Sequence, residues 1–209
     1  MKIPQLRKQT EKKNCHGYSW EDDYSWIHQD NCLEILRDTK KLNPEVRKYL
    51  EEENSYTKEI MRDTENLQKK IFKEIEGRIK LDDESLPFKD KKYEYWTKTT
   101  KEGNDSKRLR KKIGSDKVEC YFDGDLEAKG KKFFSTGDLA VSNNDEFLAF
   151  SVDDKGGEYF TIFVRRIVDN KIIEKIEDTA GGIVWSYDDK SFFYRKHDSQ
   201  KRPRKILQH

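Results

Sequence analysis

Leu139-Ala140-Val141-Ser142-Asn143-Asn144-Asp145-Glu146-Phe147-Leu148-Ala149-Phe150 and Ile183-Val184-Trp185-Ser186-Tyr187-Asp188-Asp189-Lys190-Ser191-Phe192-Phe193-Tyr194 are two versions of one pattern. Each is an apolar triplet, a Ser, an Asn/Asp-rich turn and a short apolar or aromatic run, which is how two β-strands joined by a tight turn are written. Ser142 corresponds to Ser186, so the offset is 186 − 142 = 44 residues. A period of about 40 to 45 residues is the size of one four-stranded propeller blade. Two unrelated hairpins sharing common turn residues are the competing explanation, and the repeat is preferred.

Composition limits what surrounds this repeat. Of 209 residues 33% are hydrophobic and 40% charged, a thin supply for a large core. The net charge of +2 comes from nearly balanced cations and anions, so bulk electrostatics favours neither nucleic acid nor an anionic membrane as partner. No apolar run approaches the roughly 18 residues of a membrane span, and Met1 to Arg7 lacks the apolar centre of a signal peptide, so a cytoplasmic location is expected. Cys15, Cys32 and Cys120 are odd in number and include no CxxC pair. They read as free thiols, with no metal site and no cofactor implied.

The chain divides by pattern into a flexible arm (1–17), a helical segment (18–86) and a β-rich remainder (87–209). The arm is polar and lacks periodicity. Trp20, Tyr24, Trp26 and Ile27 then cluster around acidic residues and need a surface to cover them. Asp30 is the expected cap of a short helix carrying Leu33, Ile35 and Leu36. Asn43-Pro44 is a helix start and Gly77 a stop. Between them Val46, Tyr49, Leu50, Tyr56, Ile60, Leu67, Ile71 and Ile75 form an amphipathic stripe. That span either breaks near Asn54-Ser55 or lies as a long clamp; Tyr at stripe positions, with Glu53 and Thr64 in register, argues against a coiled-coil seam. From Tyr93-Glu94-Tyr95-Trp96-Thr97 the period becomes that of a strand, with Gly103-Asn104-Asp105 as its turn.

Three groups invite a chemical reading. Asp22-Asp23 has the composition of a catalytic carboxylate pair, but adjacent residues point apart and a turn is favoured. The run Lys107-Arg108-Leu109-Arg110-Lys111-Lys112 could touch phosphate, yet it lacks the supporting field of a nucleic-acid surface and reads as a solvated strand. Gly156-Gly157 and Gly181-Gly182 lack the Lys-Ser/Thr and helix that follow a phosphate loop, and read as turns.

Several blocks in order carry a specific resemblance. They are Cys15-His16-Gly17, Asp22 to Ile27, Tyr49 to Thr57, and Phe72 to Lys80 leading to Asp82-Asp83 and Pro87. Ser151 to Ile162, Gly181 to Ser186, Phe192-Phe193-Tyr194 and Arg202-Pro203 continue them. This ordered set covers nearly the whole chain and resembles the N-terminal part of the oligopeptidase B (protease II) branch of the prolyl oligopeptidase family of serine peptidases.

The resemblance implies a helical segment that wraps onto an α/β-hydrolase domain, followed by the first blades of a seven-bladed propeller, here incomplete. The expected fold class is therefore α+β. The family's Ser, Asp and His triad sits in the hydrolase domain, with the Ser at a Gly-x-Ser-x-Gly turn. The nearest approach here, Gly17-Tyr18-Ser19-Trp20-Glu21, has Glu at its last position. No catalytic, cofactor or metal residue is carried over. The leading expectation is a truncated peptidase portion, inactive alone, from a family of endopeptidases cleaving short peptides after Arg or Lys. The alternatives are a non-catalytic subunit pairing with a separate hydrolase chain, an interaction module, and an independent enzyme using His16, His28, His197 or His209. The last is least favoured, because no Ser, Cys or carboxylate stands at a spacing that assembles a nucleophile and base. The partners expected are a companion hydrolase chain, contacted through Trp20 to Ile75, and further copies through an open propeller edge.

Overall fold

The structure is a computed structural model in which residues 2–209 are described. The chain forms two compact units, one ending at Ile79 and one running from Lys80 to His209.

In the first unit β1 (Glu11–Cys15) and β2 (Tyr18–Asp22) pair antiparallel, Glu11 opposite Asp22 and Cys15 opposite Tyr18. His16 and Gly17, both at positive φ, make the two-residue turn that suits the twist of a hairpin. The last third of the expected flexible arm is thus a strand. Three helices follow, α1 (Cys32–Arg37), α2 (Pro44–Ile60) and α3 (Glu65–Glu76). Asn43 caps α2 as expected, its side chain accepting the Glu45 N–H at 2.8 Å, and Gly77 ends α3. Two local expectations are corrected. Asn31 rather than Asp30 stands at the N-cap of α1, without a side-chain cap bond. The long stripe breaks at Met61 to Thr64 rather than at Asn54-Ser55, since Ser55 returns its hydroxyl to the Glu51 carbonyl at 2.8 Å and stays helical. Val46 is the one buried hydrophobic residue among those described in this unit.

The second unit contains three antiparallel sheets. In the first, β3 (Asp83–Glu84) and β4 (Phe88–Asp90) both pair with β5 (Tyr93–Thr99), which continues to β6 (Lys107–Lys112) and β7 (Val118–Asp123). Because Asp83 and Glu84 pair with Thr99 and Lys98, this unit begins before residue 87, where the helical segment was expected to end. A short helix, α4 (Gly124–Ala128), leads to the second sheet, β8 (Ser135–Val141), β9 (Phe147–Asp153), β10 (Phe160–Arg166) and β11 (Lys171–Thr179). The third sheet is β12 (Val184–Trp185), β13 (Phe192–His197) and β14 (Pro203–Gln208).

The alternation along β9 explains the core. Leu148, Phe150 and Val152 point one way and join Phe122 and Ile167; Ala149 points the other way and joins Ile162, Val164, Ile183, Phe192 and Tyr194. A strand buried on both faces reads as a continuous apolar run, as Phe147 to Phe150 does. The middle sheet is therefore covered on both sides.

The two copies of the repeat superpose bond for bond. Ser142 N–H and Ser186 N–H donate to the carbonyls of Phe147 and Ser191 at 2.9 and 2.8 Å. Their hydroxyls donate to Asn144 Oδ1 and Asp188 Oδ1, both at 2.7 Å, and Asp145 and Asp189 both adopt positive φ. A shared left-handed residue at the same place is a backbone requirement, which chance similarity of letters would not supply.

Candidate functional site

Most of the polar groups singled out in the sequence prove to be engaged in holding turns. Asp22 accepts the Tyr24 N–H at 2.9 Å, whereas Asp23 accepts from Lys8 Nζ and Thr10 Oγ1, each at 2.7 Å. The hydrogen bonds from Lys8 and Thr10 hold the Asp23 carboxyl below the usual carboxylate range. The two carboxylates thus work separately, Asp22 within its own turn and Asp23 tying the segment around Lys8 and Thr10 to it. Ser19 lies in β2 and donates to Asn14 Oδ1 at 2.5 Å.

The histidines are dispersed among other partners. His28 lies 3.7 Å from Asp30, His209 Nε2 lies 2.8 Å from Glu174, and His197 packs edge-on against Tyr159. Burial, then the Lys201 charge, lower the His197 pKa. The described hydrogen bonds join no His to a Ser or Cys, and no group of three or more His, Cys, Asp or Glu gathers as a metal site among the described residues.

The glycine pairs lie in turns where Gly156, Gly181 and Gly182 already donate their N–H groups within the chain. Gly181 and Gly182 have positive φ, and Gly182 N–H donates to Asp138 Oδ2 at 2.5 Å. Asp153 likewise accepts the N–H groups of Lys155 and Gly156, both at 2.9 Å. A carboxylate from the chain itself stands where a phosphate loop would hold its ligand.

The basic run is divided by strand alternation. Lys107 pairs with Asp123 and Lys111 with Glu94 at 3.2 Å; Arg108 donates to Thr97 Oγ1. Arg110 is buried, donates from Nε to Glu119 at 3.1 Å and from Nη1 to the Asp145 carbonyl at 2.9 Å, and lies 4.2 Å above the Tyr93 ring. The run is a strand, as expected, but not a solvated one: Arg110 is buried and Lys107 to Leu109 and Lys111 are half-buried, which leaves Lys112 as its exposed member.

Around Arg110 the first and second sheets enclose a groove of about 800 Å³. Two of its lining residues, Arg110 and Asp145, form a buried polar trio with Tyr95. Tyr95 Oη donates to Asp145 Oδ1 at 3.3 Å, while Asp145 Oδ2 is sealed from solvent with no donor among the described residues. Burial, then the charge of Asp145, raise the Tyr95 pKa far above the ordinary phenol value, so Tyr95 stays a neutral donor. Sequence reading missed this trio, because Tyr95 and Asp145 are 50 residues apart. The available signal was the repeat, since Asp145 and Asp189 occupy equivalent places and each reaches the preceding sheet.

A repeated turn on successive antiparallel sheets defines a domain of β-propeller type. The family model described as "Prolyl oligopeptidase, N-terminal beta-propeller domain" matches residues 4–209, and the chain belongs to the prolyl oligopeptidase family. Its similarity extends to a dipeptidyl aminopeptidase BI of Pseudoxanthomonas mexicana, 27% identical over 202 residues that cover 88% of this chain and 27% of the relative. Protease 2 of Moraxella lacunata is 23% identical, over 100% of this chain and 30% of the relative. The structure of oligopeptidase B from Leishmania major superposes with a TM-score of 0.86 at 27% identity, covering 100% of this chain and 31% of that one. The chain therefore spans under a third of the length of these relatives, and the oligopeptidase B resemblance holds for this N-terminal part. No helix among the described residues is long and apolar enough to cross a membrane.

Proposed function

We propose that this chain is the propeller-bearing N-terminal portion of an oligopeptidase B-like serine peptidase, and that it has no peptidase activity by itself. In this reading the three sheets are the first blades of a propeller that is incomplete within residues 1–209. The family's cleavage after Arg or Lys would belong to a hydrolase domain acting with it. The observation that carries the reading is that the region matched is a propeller domain, within which Ser and His side chains each meet carboxylates but no described hydrogen bond joins a Ser to a His. Peptide hydrolysis by a serine mechanism needs a nucleophile, a base and an oxyanion hole in one place. Arg- and Lys-containing fluorogenic peptides should give no turnover with the isolated chain. A Ser in this chain labelled by a fluorophosphonate probe, with labelling abolished by denaturation, would overturn the proposal.

A second reading, a non-catalytic subunit for a separate hydrolase chain, is favoured by one observation. Leu67, Ile71, Phe72 and Ile75 are exposed on α3, an apolar face that nothing within its unit covers. Mixing the two chains should then give co-elution and a gain in hydrolysis; absence of both removes this reading. A cytosolic setting suits either form, since Cys15, Cys32 and Cys120 are unpaired. Cell fractionation tests it.

A further inference from the structure

We propose that the groove between the first and second sheets is a binding site for a small polyanion carrying carboxylates or phosphates. Three lysines, Lys92, Lys112 and Lys117, line it, and among the described residues their ammonium groups have no ion-pair or hydrogen-bond partner. That sets them apart from the neighbouring basic residues, for Lys107, Arg110 and Lys111 are each paired. The lysines come from different places in the first sheet. Lys92 precedes β5, Lys112 ends β6 and Lys117 precedes β7, so the antiparallel meander gathers them at one end of the sheet.

The acidic residues of the groove cancel this charge only in part, and none of them is paired with the three lysines. Glu119 accepts from Arg110, Glu146 accepts from Asn144 Nδ2 at 3.3 Å, and Asp145 turns one oxygen to Tyr95 with the other sealed from solvent. On the opposite wall, Arg166 is held by Asp169 through bonds of 2.8 to 3.2 Å. With Arg110 set against Glu119 and Arg166 against Asp169, three ammonium groups stand beside the two carboxylates of Asp145 and Glu146, an excess of one positive charge, and the ammonium groups are the cations without a partner. At the back of the groove the Arg110 guanidinium is fixed by Glu119, the Asp145 carbonyl and the Tyr93 ring, so it keeps one orientation at little further entropic cost.

Size and shape select the ligand class. A volume of about 800 Å³ falls in the range of small-molecule sites, roughly 300 to 1,000 Å³. A nucleic-acid surface would instead present a long track with exposed stacking rings. Here Tyr93 carries Arg110 on its ring, and the remaining basic run is tied down. Ammonium groups attract carboxylates and phosphates alike, so the chemistry is common to both sources.

The test is calorimetric titration of the full chain with citrate and, separately, with tripolyphosphate at low ionic strength. Binding of at least one is expected, and the better of the two tells carboxylate from phosphate. The double substitution Lys112→Gln/Lys117→Gln, at exposed positions, should weaken that binding about tenfold, on the order expected for losing two near-surface charge contacts. The control Lys171→Gln/Lys205→Gln, at exposed positions on β11 and β14, should leave it unchanged. The proposal is overturned if neither anion binds at millimolar concentration, or if both double variants weaken binding equally, which would mean a general response to net charge.

Discussion

Removing the Asp189 side chain should loosen the third sheet from the second. The carboxylate accepts from the Asn143 N–H at 2.6 Å, from Asn143 Nδ2 at 2.9 Å and from the Asn144 N–H at 2.7 Å, so one side chain of the later turn ties down the whole earlier turn. Charge-assisted bonds contribute about 1.5 to 3 kcal/mol each when well covered. These groups are half-buried or exposed, so water replaces part of what is lost. We therefore expect Asp189→Ala to cost about 2 kcal/mol. With a urea dependence of about 2 kcal/mol per molar for a unit of this size, the midpoint should fall by about 1 M. Asp188→Ala is the matched control. Asp188 accepts only from Ser186 Oγ at 2.7 Å and Lys190 N–H at 3.2 Å, within its own turn. Urea unfolding gives the stability, and native-state hydrogen exchange at the Asn143 and Asn144 amides gives the location. Equal effects of the two substitutions, or unchanged protection at both amides, would refute the argument that Asp189 joins the sheets.

Three further outcomes follow from the same packing. Gly182→Ala should destabilise by about 1 to 2 kcal/mol, because φ is +79° and the added Cβ would meet Arg195 Nε at 2.2 Å; a neutral result in thermal unfolding would show that Arg195 yields and the backbone tolerates Ala. The lowered His197 pKa means that the unfolded chain binds a proton first, so stability should decline as pH falls below about 6.5 and level off beneath the folded-state pKa. His197→Asn should flatten that part of the pH profile, and an unaltered slope would assign it to other groups. The third concerns the exposed face of the third sheet, where Val184, Phe193 and Ile206 alternate with the inward Trp185, Phe192, Tyr194 and Leu207. Light scattering should show concentration-dependent association that Val184→Lys/Ile206→Lys suppresses; a strict monomer at high concentration would remove the proposal of self-association through this end.

Local chemistry made much of the chain legible from its letters. Asn43-Pro44 and Gly77 mark helix ends because capping depends on the residue's own side chain and φ preference. The repeat at Ser142 and Ser186 is equally local, since a hydroxyl reaching two residues on and a left-handed Asp are properties of the turn itself. The strand at Tyr93 and the turn at Gly103 to Asp105 belong to the same class.

What failed or was hidden depended on partners distant in sequence. The break in the long stripe fell at Met61 to Thr64 because Ser55 could satisfy itself within the helix, an option that composition does not rank. The start of the β-rich unit moved ahead of residue 87 because a two-residue strand, too short to show periodicity, finds Thr99 and Lys98. The groove needed tertiary structure altogether. Alternation divides the basic run between two faces, but only the packing of sheet on sheet sets Arg110 against Asp145, 35 residues away, and leaves Lys92, Lys112 and Lys117 unpaired beside it. Sequence determines which residues can make a turn, a cap or an alternating strand, since those energies act within a few residues. Which charges end up neutralised is decided by contacts between separate sheets, and that is settled only when the chain folds.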